Sequence, residues 1–352
     1  MRCPRLDHFV RLNHTGKFGK CGHMTRSQEF DSLDDMQQSV WLKKIKKNMQ
    51  DGVWPKECVR CQLTEETSNT SIRLDMIERD RILKSIQKNY LIVGGVLDNI
   101  CNSACQSCNA ELSTKIGSLE NKNYKKINNY DNFFKLPQDR IVEVDVNGGE
   151  PTASPNYKRL LKNLPEATKI VRINTNGSRV ISEIEELLKK NMRIIVTLSF
   201  DGTGNVHDYA RWPILWKDYI KSVAKYVQLR KEYKTLRINF WTTVSCLNVG
   251  DLKNIVDYAK KADIDHAYGF CIRPSVLDIR HVNVLTTTAK AKLLSENNTL
   301  LSAIANKCAS FNVENSIELE NFINTQDALR KIYFKDYFNF ALNFSKNNLA
   351  NT

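Results

Sequence analysis

The chain contains no run of 18 apolar residues; its most apolar stretch, Arg193 to Phe200, has only the length of a strand. No membrane-spanning helix is therefore expected. The opening residues, MRCPRLDHFVRLNHTGK, lack the apolar core of a signal peptide, which sets the expectation of a cytoplasmic protein. Internal repeats and low-complexity tracts are missing too, and the six histidines follow no metal-ligand spacing. Charge is not concentrated anywhere. The net +13 divides into +5 over residues 1–90, +7 over 91–275 and +1 over 276–352. The densest basic run (Lys43, Lys44, Lys46, Lys47) lies in a helix-like stretch and reads as a solvated face rather than a phosphate tract. The excess permits an anionic substrate without arguing for one.

What is present is a soluble-type composition, 41% hydrophobic and 26% charged, over 352 residues. That length suggests roughly two domains. The first ninety residues divide into a cysteine-bearing loop region and two helix-like segments, about Ser32–Gln50 and Ile72–Asn89. From residue 91 strand-like runs recur at Leu91–Leu97, Ile141–Val146, Lys169–Ile173, Arg193–Phe200, Leu236–Val244 and His266–Ile272. Helix-like stretches lie between them, among them Val180–Lys190, Lys217–Tyr233 and Asp251–Ala262. Strands alternating with helices predict an α/β fold with a parallel sheet, and six right-handed units curl into a partial (β/α)6, TIM-like barrel. Chemistry in such a fold sits at the C-terminal ends of the strands. After about residue 276 the chain reads as a helical extension without an interpretable motif, with a frayed tail.

Ten cysteines in a reducing compartment point to metal ligands or buried thiols rather than disulfides. Cys101, Cys105 and Cys108 follow the first of these strands directly. Thiolates spaced by three and then two residues on one loop can converge on one cubane, and three ligands leave the fourth iron open. A closed electron-transfer cluster needs a fourth cysteine nearby, and none follows. The alternative is a loop with three incidental cysteines.

This Cys-x3-Cys-x2-Cys loop after strand one resembles the signature of the radical S-adenosylmethionine (SAM) superfamily. The resemblance implies a 4Fe–4S cluster whose open iron binds SAM and whose one-electron reduction yields a 5′-deoxyadenosyl radical. Ser107 stands where the family often has an aromatic residue. Later strand ends agree. Asn147-Gly148-Gly149-Glu150-Pro151 resembles the motif that binds the SAM amino group; paired glycines allow close backbone approach, and a carboxylate suits an ammonium. Asn176 in Asn174–Gly177, and Ser199 and Asp201 in Ser199–Gly202, resemble segments near the ribose and methionyl parts. Arg211 lies where relatives place a basic residue for the SAM carboxylate, and Thr243–Asn248 resembles the adenine-side segment. Taken singly, each of these residues also suits a loop cap or turn.

A second set, Cys3, Cys21, Cys58 and Cys61, precedes the strands. Four thiolates suit either a structural zinc or a 4Fe–4S cluster. With Gly16, Trp41 and Pro55, the pattern resembles a Twitch-type auxiliary cluster domain, related to the SPASM domain, placed before the barrel as in some phage proteins. The implied layout is an auxiliary cluster domain at 1–75, a linker helix at 76–90, a radical SAM core at 91–275 and a helical extension at 276–352. Cys246 and Cys271 near later strand ends, and Cys308, read as small buried hydrophobes.

The resulting expectation is an enzyme that abstracts hydrogen from a peptide, protein or small molecule, fed electrons by a reductant such as flavodoxin or ferredoxin. The competing reading is a zinc-binding, basic nucleic-acid-binding protein without catalysis.

Overall fold

Apolar, β-branched runs form the strands of this chain, and amphipathic segments rich in Lys and Glu form the helices between them. The computed structural model describes residues 1–121, 124–280, 298–308 and 313–338. Two short strands open it, β1 (Phe9–Leu12) and β2 (Phe18–Gly19). Six follow: β3 (Leu91–Val96), β4 (Ile141–Asn147), β5 (Ile170–Thr175), β6 (Arg193–Ser199), β7 (Leu236–Val244) and β8 (Asp265–Phe270). Their order in the sheet is β2-β1-β3-β4-β5-β6-β7-β8. β1 pairs antiparallel with β2, while the β1–β3, β3–β4, β4–β5 and β7–β8 pairs are parallel. The result is a mixed α/β fold with a mostly parallel sheet.

The six strands expected from residue 91 onward are all present. The N-terminal region differs from expectation: the cysteine-bearing loop region carries β1 and β2, because Phe9-Val10-Arg11-Leu12 finds a partner in β3 that a four-residue run cannot announce. The first helix-like segment is two helices, Leu33–Gln38 and Val40–Gln50. Between them Ser39 is extended in ψ and accepts from Leu42 N at 3.1 Å, capping the second helix.

Contacts divide the chain into two compact units. The first comprises residues 1–100, 125–173 and 182–195. Its core gathers Phe9, Met76, Leu83, Tyr90, Ile92, Val142, Ile170 and Ile195. Helix Ile72–Ile86 sends Met76 and Leu83, two turns apart, into that core. Beside it lies a charged seam on β4: Glu143 is fully buried and held by Arg79 and by Arg172 Nε at 2.8 Å. Asp145, two residues on, has its carboxyl pushed up to about 6, first by burial and then by Glu143.

The second unit comprises residues 101–124, 174–181 and 196–352. In β7 Leu236, Ile238, Phe240, Thr242 and Val244 are buried, the period-2 pattern of a strand packed on one face. Helix Trp216–Glu232 buries Tyr219, Val223 and Tyr226, and Phe200 stacks with Trp216 and Tyr219 at 5.7 and 5.8 Å between ring centroids. Three helices of the C-terminal extension are described, Thr299–Ala305, Val313–Arg330 and Phe334–Tyr337. Other parts of that expected extension, residues 281–297, 309–312 and 339–352 with His281 and the tail, lie outside the described residues. Among the described residues no helix is long and apolar enough to cross a membrane.

Candidate functional site

The three-cysteine loop leaves the C-terminal end of β3 and is pinned by hydroxyls. Cys101 N donates to Thr114 Oγ1 at 3.1 Å, and Ser113 Oγ donates to Ser103 O at 2.7 Å. Ser113 also caps the following helix, Thr114–Glu120, so the loop ends on a fixed element. Cys101 Sγ lies 3.3 Å from Ser103 Oγ, and Cys105 Sγ donates to the same oxygen at 3.5 Å. Cys108 N closes a turn onto Cys105 O at 3.2 Å. Burial pushes the Cys108 thiol up to about 12, and Cys105 and Cys101 push it in the same direction. Cys101, Cys105 and Cys108 thus present three thiol donors on one short loop, two of them sharing the Ser103 hydroxyl. That donor set fits an iron–sulfur cluster. All ten cysteines of the chain are thiols rather than disulfides.

In the first unit, the Gly148–Glu150 turn packs on the chain that feeds this loop. Glu150 N donates to Ile100 O at 2.8 Å, and a Cβ on Gly149 would overlap the Ile100 carbonyl. A Cβ on Gly148 would stand 3.0 Å from Asp98 O. The paired glycines thus serve close approach to the protein's own backbone, one residue before Cys101. Glu150 is buried, and its Oε1 accepts from Thr152 N at 3.0 Å and Thr152 Oγ1 at 2.8 Å. Asn147 Oδ1, at the end of β4, is buried with no hydrogen-bond partner among the described residues.

In the second unit, Asn176 Nδ2 donates to Asn102 Oδ1 at 2.8 Å and to Ser103 Oγ at 3.3 Å, joining the end of β5 to the cysteine loop. Ser199 ends β6 and is half-buried. Asp201 accepts from Thr243 N at 2.7 Å, which ties the ends of β6 and β7, and from Arg211 Nη1 at 2.9 Å, at the C-terminal cap of helix Gly204–Ala210. Asn248 donates to Asp201 O at 3.1 Å and Thr243 O at 3.0 Å, which closes the Thr243–Asn248 segment onto the same point. Burial opposes the charge of Arg211, but Cys105 and Asp201 hold its pKa above the ordinary arginine value. Its Nε is buried without a partner among the described residues, a donor suited to an anionic ligand group. Cys246 and Cys271 are buried, with thiols aimed at the backbone carbonyls Val276 O and Arg273 O.

Cys3, Cys21, Cys58 and Cys61 line one pocket of the first unit, about 350 Å³ including its mouth. Cys58 is pushed up to about 12 by burial, then by Cys3, Cys21 and Cys61; Cys3 rises to about 11 by burial, then by Cys21. Arg5, His23, Trp54 and Arg73 line the same pocket. The Arg5 Nε is buried without a partner among the described residues, and Arg73 is held by Glu65 and by Arg2 O. Thiols facing cations around a cavity also fit a thiolate-bound metal centre. Among the described residues, no group of three or more His, Cys, Asp or Glu is close enough, as placed, to hold a single metal ion. Sequence reasoning missed His23, two positions after Cys21, and Ser113, whose place just before a helix is a capping signal.

No family model matches the chain. It is 29% identical over 113 residues to the mycofactocin maturase MftC of Mycobacterium tuberculosis, across 32% of this chain and 28% of MftC. It is 31% identical over 118 residues to the antilisterial bacteriocin subtilosin biosynthesis protein AlbA of Bacillus subtilis, across 33% of this chain and 25% of AlbA. The matched stretch is thus a third of this chain and about a quarter of each relative. Among solved structures, Streptococcus suis SuiB bound to S-adenosylmethionine covers 92% of this chain and 70% of its own at a TM-score of 0.41 and 14% identity. Native anSMEcpe with bound AdoMet covers 69% and 63% at a TM-score of 0.40 and 17% identity. Its sequence relatives are thus a mycofactocin maturase and a bacteriocin biosynthesis protein.

Proposed function

We propose that this chain is a radical SAM enzyme that generates a 5′-deoxyadenosyl radical and abstracts hydrogen from a peptide or small-molecule substrate. The observation that carries the reading is the cysteine loop: Cys101 and Cys105 share the Ser103 hydroxyl, and both act electrostatically on Cys108. In this reading the sheet of residues 91–275 forms the partial barrel, preceded by an auxiliary cluster domain at 1–75 and a linker helix at 76–90. A 4Fe–4S cluster on the three thiolates supplies the electron that cleaves SAM. Gly148, Gly149 and Glu150 support the approach to that loop, Glu150 offering negative charge to an ammonium. Arg211 offers a charged donor to a carboxylate, and Asn176 and Ser199 offer polar contacts. Asp201 acts by holding Arg211 in place. Cys3, Cys21, Cys58 and Cys61 hold a second 4Fe–4S cluster. The peptide branch of the substrate class draws support from relatives named for maturing mycofactocin and for making a bacteriocin. Flavodoxin or ferredoxin is the proposed electron donor, in a reducing cytoplasm.

Anaerobic purification tests the reading. The protein should be brown, with about eight irons per chain when both clusters are 4Fe–4S. Reduced with dithionite and given SAM, it should release 5′-deoxyadenosine. A colourless protein carrying zinc at the N-terminal thiols and no iron at Cys101, Cys105 and Cys108 would defeat it.

A further inference from the structure

Helix Val313–Arg330 sends one side chain into the cysteine loop. Arg330, only 4% exposed, donates from Nε to Ala104 O at 2.8 Å and from Nη2 to Cys105 O at 3.4 Å. These carbonyls flank the Cys105 α-carbon. The backbone N–H groups of the loop bond the end of helix Gly204–Ala210 and the turn after it: Gln106 N donates to Ala210 O at 3.0 Å, and Ala104 N to Trp212 O at 2.7 Å. The peptide groups around Cys105 are therefore gripped from two sides.

Docking of the helix does not need this arginine. Leu319 and Ile323 are buried at 1% and 3% exposure, and Asp327 accepts from Tyr209 Oη at 2.7 Å and Phe334 N at 2.6 Å. Arg330 instead places a buried guanidinium on loop carbonyls 226 positions away. Burial opposes its charge, and the Cys105 thiol acts in the opposite direction.

We propose that helix Val313–Arg330 is part of the cluster site, with Arg330 as a positioning residue that locks the Cys105 backbone and sets a fixed positive charge beside the three thiolates. This rests on the cluster assigned above to Cys101, Cys105 and Cys108. A cation beside a site that gains an electron favours the reduced form and raises its potential.

Two readouts test the proposal. In iron-free protein, iodoacetamide labelling of Cys105, read by peptide mapping, should be about tenfold faster in Arg330→Gln than in wild type, equivalent to about 1.4 kcal/mol of opening free energy. Equal rates would overturn the lock. In reconstituted protein, the reduced paramagnetic signal that responds to added SAM reports the open cluster. Its midpoint potential should fall in Arg330→Gln and hold in Arg330→Lys, which keeps the charge. A potential unmoved in Arg330→Gln would overturn the charge role and with it the proposal. If Arg330→Gln fails to fold, Arg330→Lys carries the labelling test, since lysine cannot reproduce the two-carbonyl fork; an unchanged rate there also overturns the lock. A wild type that takes up no iron would defeat the cluster assignment, while the labelling comparison would still score the lock.

Discussion

The two sets of thiols are built in opposite ways. Cys101, Cys105 and Cys108 sit within eight consecutive residues, and the loop is fixed by hydrogen bonds that Ser113 and Asn176 donate and Thr114 accepts. Cys3, Cys21 and the Cys58/Cys61 pair, which lies where the 3-10 turn Lys56–Cys58 runs into helix Val59–Ser68, come from three separate stretches and meet around a pocket also lined by Met24, Met49, Trp54 and Ile72. The first arrangement is mostly local; the second exists only where the surrounding unit is folded. A local set tolerates fluctuation elsewhere, whereas a gathered set reports on tertiary structure.

The largest expected effect separates the two sets by function. Cys105→Ala should abolish 5′-deoxyadenosine release, measured chromatographically after dithionite reduction, because two thiolates do not secure a cluster. Full turnover in this variant would sink the assignment. Alanine at Cys3, Cys21, Cys58 and Cys61 together should remove about half the iron and leave SAM cleavage largely in place. Iron analysis checks it, and unchanged content would show that these thiols bind none.

Next comes the backbone that feeds the local site. Gly149→Ala forces a methyl into the Ile100 carbonyl, and should destabilise the protein by about 1–3 kcal/mol in urea titration. An unaffected midpoint would mean that the turn moves freely away from residue 100. The smallest effect falls on strand β4 of the first unit. Burial and Glu143 push the Asp145 carboxyl up to about 6 from its ordinary value of 3.8, so its penalty is absent below about pH 4, grows as pH rises, and is complete above about pH 7. Asp145→Asn should therefore stabilise the protein by about 1–2 kcal/mol at pH 7.5 and change little at pH 4. Equal gains at both pH values would show that ionisation is not the cause.

The same contrast explains what the sequence made legible. The runs that became β3 to β8 are long enough for their apolar character to stand out, and their ends fall within about two residues of those read from pattern alone. The strand β1 is four residues between a one-turn helix and a turn, and nothing in Phe9–Leu12 names β3 as its partner. The cysteine loop was readable because its ligands are close in sequence. Arg330 was not, because an arginine in a helix carries no signal for a carbonyl on a distant loop. The glycines at 148 and 149 were identified by type, but their immediate partner proved to be the chain at 98–100 rather than a ligand alone.

The pairing of β1 with β3 also bears on how this protein can be handled. Phe9, Val10, Arg11 and Leu12 run parallel to Ile92, Val93, Gly94 and Gly95, and β2 covers part of the far side of β1. Deleting the cysteine-rich first residues to obtain a simpler catalytic fragment would strip β3 of its neighbour. An apolar strand, Leu91-Ile92-Val93, would then face water with unpaired amides and carbonyls, a template for edge-to-edge aggregation. Shortened versions that keep Phe9 to Gly19 escape that fate; those beginning after residue 20 are expected to collect in inclusion bodies.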